Sequence, residues 1–162
     1  MSSGAPIRDH SLTDNDSQQF EKILIASEGR KIPAAVVDEA MKMLRPGASV
    51  RVFSIARIHG VGFALPNPGL LPNKREWAEQ RDIVDKVIRR LERKGFEATG
   101  HVIGTRKATK AIVGEATKYS CEAIVMAADP DKSRFTGDFL WEQEPQRVRR
   151  RAKVPVFLFV DD

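Results

Sequence analysis

The sequence predicts an α/β fold, a five-stranded parallel sheet with helices on both faces. Three observations carry that reading. Short runs such as KILIA, EAIVMAA and VPVFLFV are apolar throughout rather than at alternate positions, as strands buried on both faces require. Between them lie stretches whose apolar residues recur at helical spacing. The two kinds of segment then alternate along the chain, and right-handed crossovers place all the strand carboxyl ends on one edge of the sheet.

Bulk composition agrees. At 162 residues, with 41% apolar and 30% charged residues, the chain fits one domain with a full hydrophobic core. Its longest apolar runs are too short to cross a bilayer, and nothing near Met1 resembles a secretory signal, so a soluble, cytoplasmic protein without a membrane partner is expected. The single cysteine, Cys121, excludes an intrachain disulfide and reads as a small buried residue. His10, His59 and His101 are too scattered to suggest a metal site.

Each element has its own signature. Residues 1–19 are polar and aperiodic and read as a disordered tail, leaving 20–162 as the folded domain. Lys22 to Ala26 is the first strand; SEGRKIP turns the chain and sets a proline at a helix start. Ala34, Val37, Ala40, Met41 and Leu44 recur at helical spacing until Arg45, Pro46 and Gly47 stop them. SVRVFSIARI follows as a strand rich in β-branched residues. His59 to Lys74 holds three prolines and three glycines, and reads as a long connection.

The clearest helix runs from about Arg75 to Lys94. Trp77, Val84, Val87, Ile88 and Leu91 form its apolar stripe, Asp85 and Arg89 stand four apart as an expected ion pair, and Gly95 stops it. FEATGHVIG alternates as the third strand, and Ala108, Ile112, Ala116 and Tyr119 mark the next helix. EAIVMAA, QRVRRRA and VPVFLFV complete the order as strand, helix and strand.

In open sheets of this kind, ligands lie outside the strand carboxyl ends where the strand order reverses. The turn after the first strand, Ala26 to Arg30, and the segment after the fourth, from Ala127, are therefore the candidate crevice. The net charge of +5 is concentrated in Arg147, Arg149, Arg150, Arg151 and Lys153. On a helix these residues spread over more than one face, and no aromatic stacking platform accompanies them, so a nucleic-acid role is not the expectation; a basic adaptor contacting nucleic acid or an acidic protein through Arg147 to Lys153 is the last of the alternative readings.

KILIASEGR, GTRKATKAIVGEATKYSCEAIVMA and RVRRRAKVPVFLFV, in that order and spacing, resemble the universal stress protein (UspA-like) family from about Phe20 to Val160. The resemblance implies a Rossmann-like, adenine nucleotide alpha hydrolase-like fold and, commonly, a homodimer paired through the last strand, here Val154 to Val160. An edge so apolar would also be an aggregation hazard if left uncovered.

ATP-binding members of that family carry Gly, two residues, Gly, nine residues, then Gly with Ser or Thr after the fourth strand. Counted back from Arg147 and Val148, Glu142 and Gln143 stand where Gly and Ser or Thr should be. Counted from the strand end, Ala127 and Pro130 take the first two glycine places. A phosphate cradle needs backbone N–H groups converging on one anion, and proline offers none. Asp129, Asp131, Glu142 and Glu144 add negative charge; one carboxylate about 5 Å from a phosphate opposes binding by roughly 3 kcal/mol at an effective dielectric near 20.

By similarity Ala26, Ser27, Glu28, Ile55, Met126 and Ala127 line the candidate crevice, with Gln143 at its rim and Lys132 and Arg134 as alternative phosphate contacts. Glu28 replaces the family's Asp and keeps a carboxylate able to accept from a ribose or adenine. No cofactor is expected, although a nucleotide or nucleoside fits the alternative reading. Ser27 has no histidine near it in sequence and no phosphoryl-transfer motif is present, so the expectation is a non-catalytic stress-response or signalling protein.

Overall fold

The computed structural model describes residues 19–58, 72–129 and 144–160. Within them the chain order is β1 (Phe20–Ser27), α1 (Ala34–Met41), β2 (Leu44–Arg57), α2 (Lys74–Arg93), β3 (Glu97–Thr105), α3 (Ala108–Lys118), β4 (Ile124–Ala128), α4 (Glu144–Arg151) and β5 (Val156–Val160). The strands form one sheet in the order β3-β2-β1-β4-β5, and every pairing is parallel. The expected α/β architecture is thus the observed one. No described helix is long and apolar enough to cross a membrane.

Alternation along the strands divides the core. Ile23 and Ile25 of β1 and Val125 of β4 pack with Val36, Val37, Val84 and Leu91 under α1 and α2. Leu24 and Ala26, Phe53 and Ile55, and Met126 pack with Ile112, Ala116 and Val148 under α3 and α4. Close approach of α2 to the edge strand depends on two glycines: a Cβ on Gly100 would stand 2.3 Å from Val84 Cγ1, and one on Gly104 would stand 3.2 Å from the Trp77 ring.

Local chemistry sets the element ends. Asn73 closes the start of α2 with a capping box, accepting at 2.9 Å from the Glu76 N–H and donating its own N–H to Glu76 Oε1 at 3.0 Å. Pro33 precedes the first turn of α1. That helix ends at Met41, so Leu44, expected on its apolar stripe, instead opens β2. Arg45, Pro46 and Gly47 do not separate the two elements but lie inside β2, where Gly47 has φ +75. The pairing jumps there from Phe20↔Leu44 to Lys22↔Ser49, so the extra residues are absorbed as an irregularity in the ladder.

On α2 the i,i+4 ion pairs are Lys86 with Asp82 at 3.0 Å and Arg75 with Glu79 at 3.9 Å, rather than the expected Asp85 with Arg89. All of these side chains lie on the exposed side of the helix, where packing does not choose among partners.

Candidate functional site

The strand order reverses between β1 and β4: the chain builds outward through β2 and β3, then crosses back to place β4 on the other side of β1. The turn after β1 and the end of β4 therefore flank the switch point. Gly29 has φ +126 in that turn, a conformation that favours glycine, with Ile55 O 3.4 Å from where a Cβ would stand. Ser27 stabilises the turn by accepting from the Gly29 N–H at 3.0 Å and donating its hydroxyl to the Arg30 carbonyl.

That turn aims Arg30 across the switch point. Its Nε and Nη2 donate to Glu28 Oε2 at 2.7 and 2.6 Å. Its Nη1 stands 2.9 Å from Asp129 Oδ1 at the end of β4, an ion contact, since Nη1 has no hydrogen-bond partner among the described residues. Glu28 is only 4% exposed. Its second oxygen, Oε1, is buried and has no hydrogen-bond partner among the described residues.

The same turn is tied to its neighbours by side chains. Arg57, at the end of β2, donates from Nε to the Glu28 carbonyl at 2.8 Å. Its Nη2 lies 3.6 Å from Glu144 Oε1 at the start of α4. Glu144 Oε2 in turn accepts from the Thr109 N–H at 3.1 Å and from the Thr109 hydroxyl, capping α3. On the other side Gln80 donates to the Gly29 carbonyl at 3.1 Å and accepts from the Ser54 hydroxyl. A polar belt therefore runs from α2 through the turn after β1 to α3 and α4.

Beside this belt is a pocket of about 450 Å³ lined by Glu28, Gly29, Arg30, Ile55, Ala56, Arg57, Glu76, Glu79, Gln80 and Asp129. Four carboxylates and two guanidinium groups face it, and both guanidinium groups already hold acids. The arrangement offers a hydrogen-bonding wall and an orphaned carboxylate oxygen, but no uncommitted cation among its lining residues.

The residues chosen from sequence separate into three sets. Glu28 and Ile55 line the pocket. Ala26, Ser27, Met126 and Ala127 are buried at the ends of β1 and β4, close to the switch point but not on the pocket wall. Lys132, Arg134 and Gln143, with Pro130, Asp131 and Glu142, lie outside the described residues, as does nearly all of the long connection after His59.

Arg30, Arg57 and Gln80 were not singled out. Gln80 had a signal: it falls on the α2 stripe between Trp77 and Val84, and a polar residue at a core position needs a partner. Arg30 closed the turn taken as the candidate crevice but was given no role there; Arg57 had no signal, because the Glu28 carbonyl and Glu144 that it meets come from distant elements.

Fold and crevice together define a doubly wound α/β domain with its candidate site at the switch point. The profile of the universal stress protein family matches residues 19–159, and the chain belongs to that family. No match was found among curated proteins.

Solved structures agree on the fold. A universal stress protein family member from Burkholderia pseudomallei superposes with a TM-score of 0.60 at 17% identity, covering 86% of this chain and 95% of its own. One from Archaeoglobus fulgidus in complex with dAMP gives 0.56 at 16%, covering 85% and 96%. A universal stress protein in complex with cAMP gives 0.59 at 15%, covering 88% and 98%.

Proposed function

We propose that this universal stress protein is a non-catalytic stress-response or signalling protein that does not take ATP through a glycine phosphate loop. The observation that carries the reading is the state of Arg30. Among the described residues it is the cation that bridges the ends of β1 and β4, and it is already neutralised by Glu28 on one side and Asp129 on the other. A polyphosphate entering here would have to displace those acids while meeting Glu76 and Glu79 on the pocket wall. Non-catalysis is supported by Ser27, whose hydroxyl is held within its own turn.

Titration with magnesium ATP by calorimetry, together with mass spectrometry of protein denatured straight after purification, tests this. No heat and no co-purified ATP are expected; stoichiometric ATP would overturn it.

One observation favours a second reading, a sensor for a nucleoside-like ligand. Glu28 Oε1 is a buried acceptor in want of a donor, and relatives of the same fold were solved with dAMP and with cAMP. Such a ligand would use Glu28, with Lys132 and Arg134 standing in for backbone contacts to a single phosphate. A thermal shift with AMP or cAMP that Glu28→Ala abolishes would establish this reading in place of the first.

Homodimerisation through Val154 to Val160 belongs to the same proposal. β5 closes one edge of the sheet, and Val160 on it is a large apolar side chain 48% exposed, an edge of the kind that pairing protects. Sedimentation of the wild type as a dimer, and of Leu158→Lys as a monomer, is the expected outcome.

A further inference from the structure

The basic run near the C-terminus is not absorbed by the crevice, and the fold gives it company that its sequence position concealed. α3 and α4 lie side by side on one face of the sheet over a shared core, joined by the Thr109 to Glu144 hydrogen bonds. Each turns one stripe to solvent: Lys107, Lys110 and Lys118 from α3 and its N-cap, and Arg149, Arg150 and Lys153 from α4 and its C-terminal extension. Lys107, Lys110 and Lys118 are three and eight apart, within about 80° of arc at about 100° per residue; Arg149 and Arg150 are adjacent, about 100° apart, and Lys153 follows the helix end at Arg151.

Charge is segregated between the two helix layers. α1 and α2 carry seven acidic and seven basic residues. α3 and α4 carry six basic residues against two acids, and both acids point inward. Glu115 is 8% exposed and binds Arg51 Nε at 2.9 Å; Glu144 serves Thr109, Arg57 and Arg147. Among the described residues of α3 and α4, the outward stripes therefore carry cations and no acidic residue.

We propose that the α3–α4 face docks double-stranded nucleic acid through its phosphate backbone, without reading sequence. The chemistry of the stripes selects this partner among polyanions. Neither stripe has an exposed large apolar side chain; among the described residues that description fits Val160, on β5. A protein interface wants such anchors at its centre, and a helix lying in a bilayer wants an apolar face.

Single strands are bound by stacking on aromatic rings. Among the described residues the ring beside this face is Tyr119, which lies 4.1 Å under the Arg51 guanidinium and whose hydroxyl accepts from Arg51 Nη2 at 3.1 Å. What remains is a set of arginines and lysines suited to phosphate oxygens, the arginines in the planar geometry that favours bidentate contact.

Size gives the magnitude. Lys107 to Lys118 spans about 16 Å along the helix axis, roughly five base-pair steps at about 3.4 Å each. About five phosphate contacts give a salt slope near −4.5, so affinity should fall roughly 500-fold between about 50 and about 200 mM salt.

The test is fluorescence anisotropy with a labelled duplex of about 20 base pairs in two unrelated sequences, using the full chain. Equal binding of both duplexes with that salt slope is expected. Reversing one cation on each helix, Lys110→Glu with Arg149→Glu, should weaken it at least tenfold at low salt. Reversing two on the other layer, Arg81→Glu with Lys86→Glu, should change it less than twofold, with circular dichroism showing every variant folded.

Four outcomes would each overturn the proposal. These are no binding at about 20 mM salt, equal losses from both pairs of reversals, tighter binding to a single strand of the same length, and tighter binding to vesicles of anionic phospholipid than to the duplex.

Discussion

Replacing Arg30 by alanine removes the cation that sits on a buried acid. Both Nε and Nη2 of Arg30 contact Glu28 Oε2, at 2.7 and 2.6 Å, and the Glu28 carboxylate has no other hydrogen-bond partner among the described residues. Breaking a fully buried ion pair by deleting one member costs about 3–5 kcal/mol, because a desolvated charge is left behind. The Glu28 side chain is 5% exposed but that of Arg30 is 25% exposed, so water reaches the gap and screening reduces the cost to about 2–3 kcal/mol.

For a domain of this size that is a drop in Tm of roughly 6–9 °C, read by calorimetry or by urea unfolding followed with circular dichroism. Asp129→Ala removes the acid on the other side of the same guanidinium. With that side chain 66% exposed, it should cost less than about 1 kcal/mol. Adding Glu28→Gln to Arg30→Ala should recover much of the loss, since the stranded group is then neutral. Equal costs for Arg30→Ala and Asp129→Ala, or no recovery with Glu28→Gln, would refute the claim that Arg30 compensates a buried charge.

Further outcomes follow from other contacts. Arg51→Ala strands Glu115, which is buried with Arg51 Nε at 2.9 Å and His101 Nδ1 at 3.7 Å; a loss of about 3 kcal/mol in urea unfolding is expected, partly restored by Glu115→Gln. Gly100→Ala drives a methyl group into Val84 and Ile88 and should cost about 1–3 kcal/mol by thermal unfolding. Burial pushes the Cys121 thiol up to about 11, so iodoacetamide at pH 8 should label it only on unfolding. The sign of its linkage is fixed: the unfolded thiol ionises first, so the contribution is constant below about 9 and stability declines as pH rises from there toward 11. A Cys121→Ser variant should lose that alkaline decline.

Most of the fold was legible because its signals are local and repeated. Unbroken apolar runs could only be strands covered on both faces, and α2 announced itself by a stripe with a glycine at its end. Where the reading missed, the competing interaction was distant in sequence. Leu44 fits the α1 stripe by spacing, yet its backbone pairs with Phe20, and strand pairing outweighed a helical propensity that ends at a proline and a glycine. The Asp85 to Arg89 pair is equally permitted by spacing, but exposed neighbours on one helix exchange partners at little cost.

The crevice was legible in position and less so in content. Strand alternation alone located the switch point, because right-handed crossovers leave one edge for all the strand carboxyl ends. Its chemistry depends on Arg30, Arg57 and Gln80, which come from the turn after β1, the end of β2 and the middle of α2. No spacing rule joins those three. Gln80 left a trace, as a polar residue on an apolar stripe.

The same reasoning explains why the sequence showed the basic run of α4 but not the lysines of α3 that accompany it. Read along the chain, Arg147 to Lys153 is a short run whose residues diverge around a helix. In the fold, Val148 is buried, Arg147 leans toward Glu144 at 3.4 Å, and Arg149 and Arg150 join the lysines of α3. Charge density on a surface is a property of neighbouring helices, so it becomes visible only when the topology says which helices are neighbours.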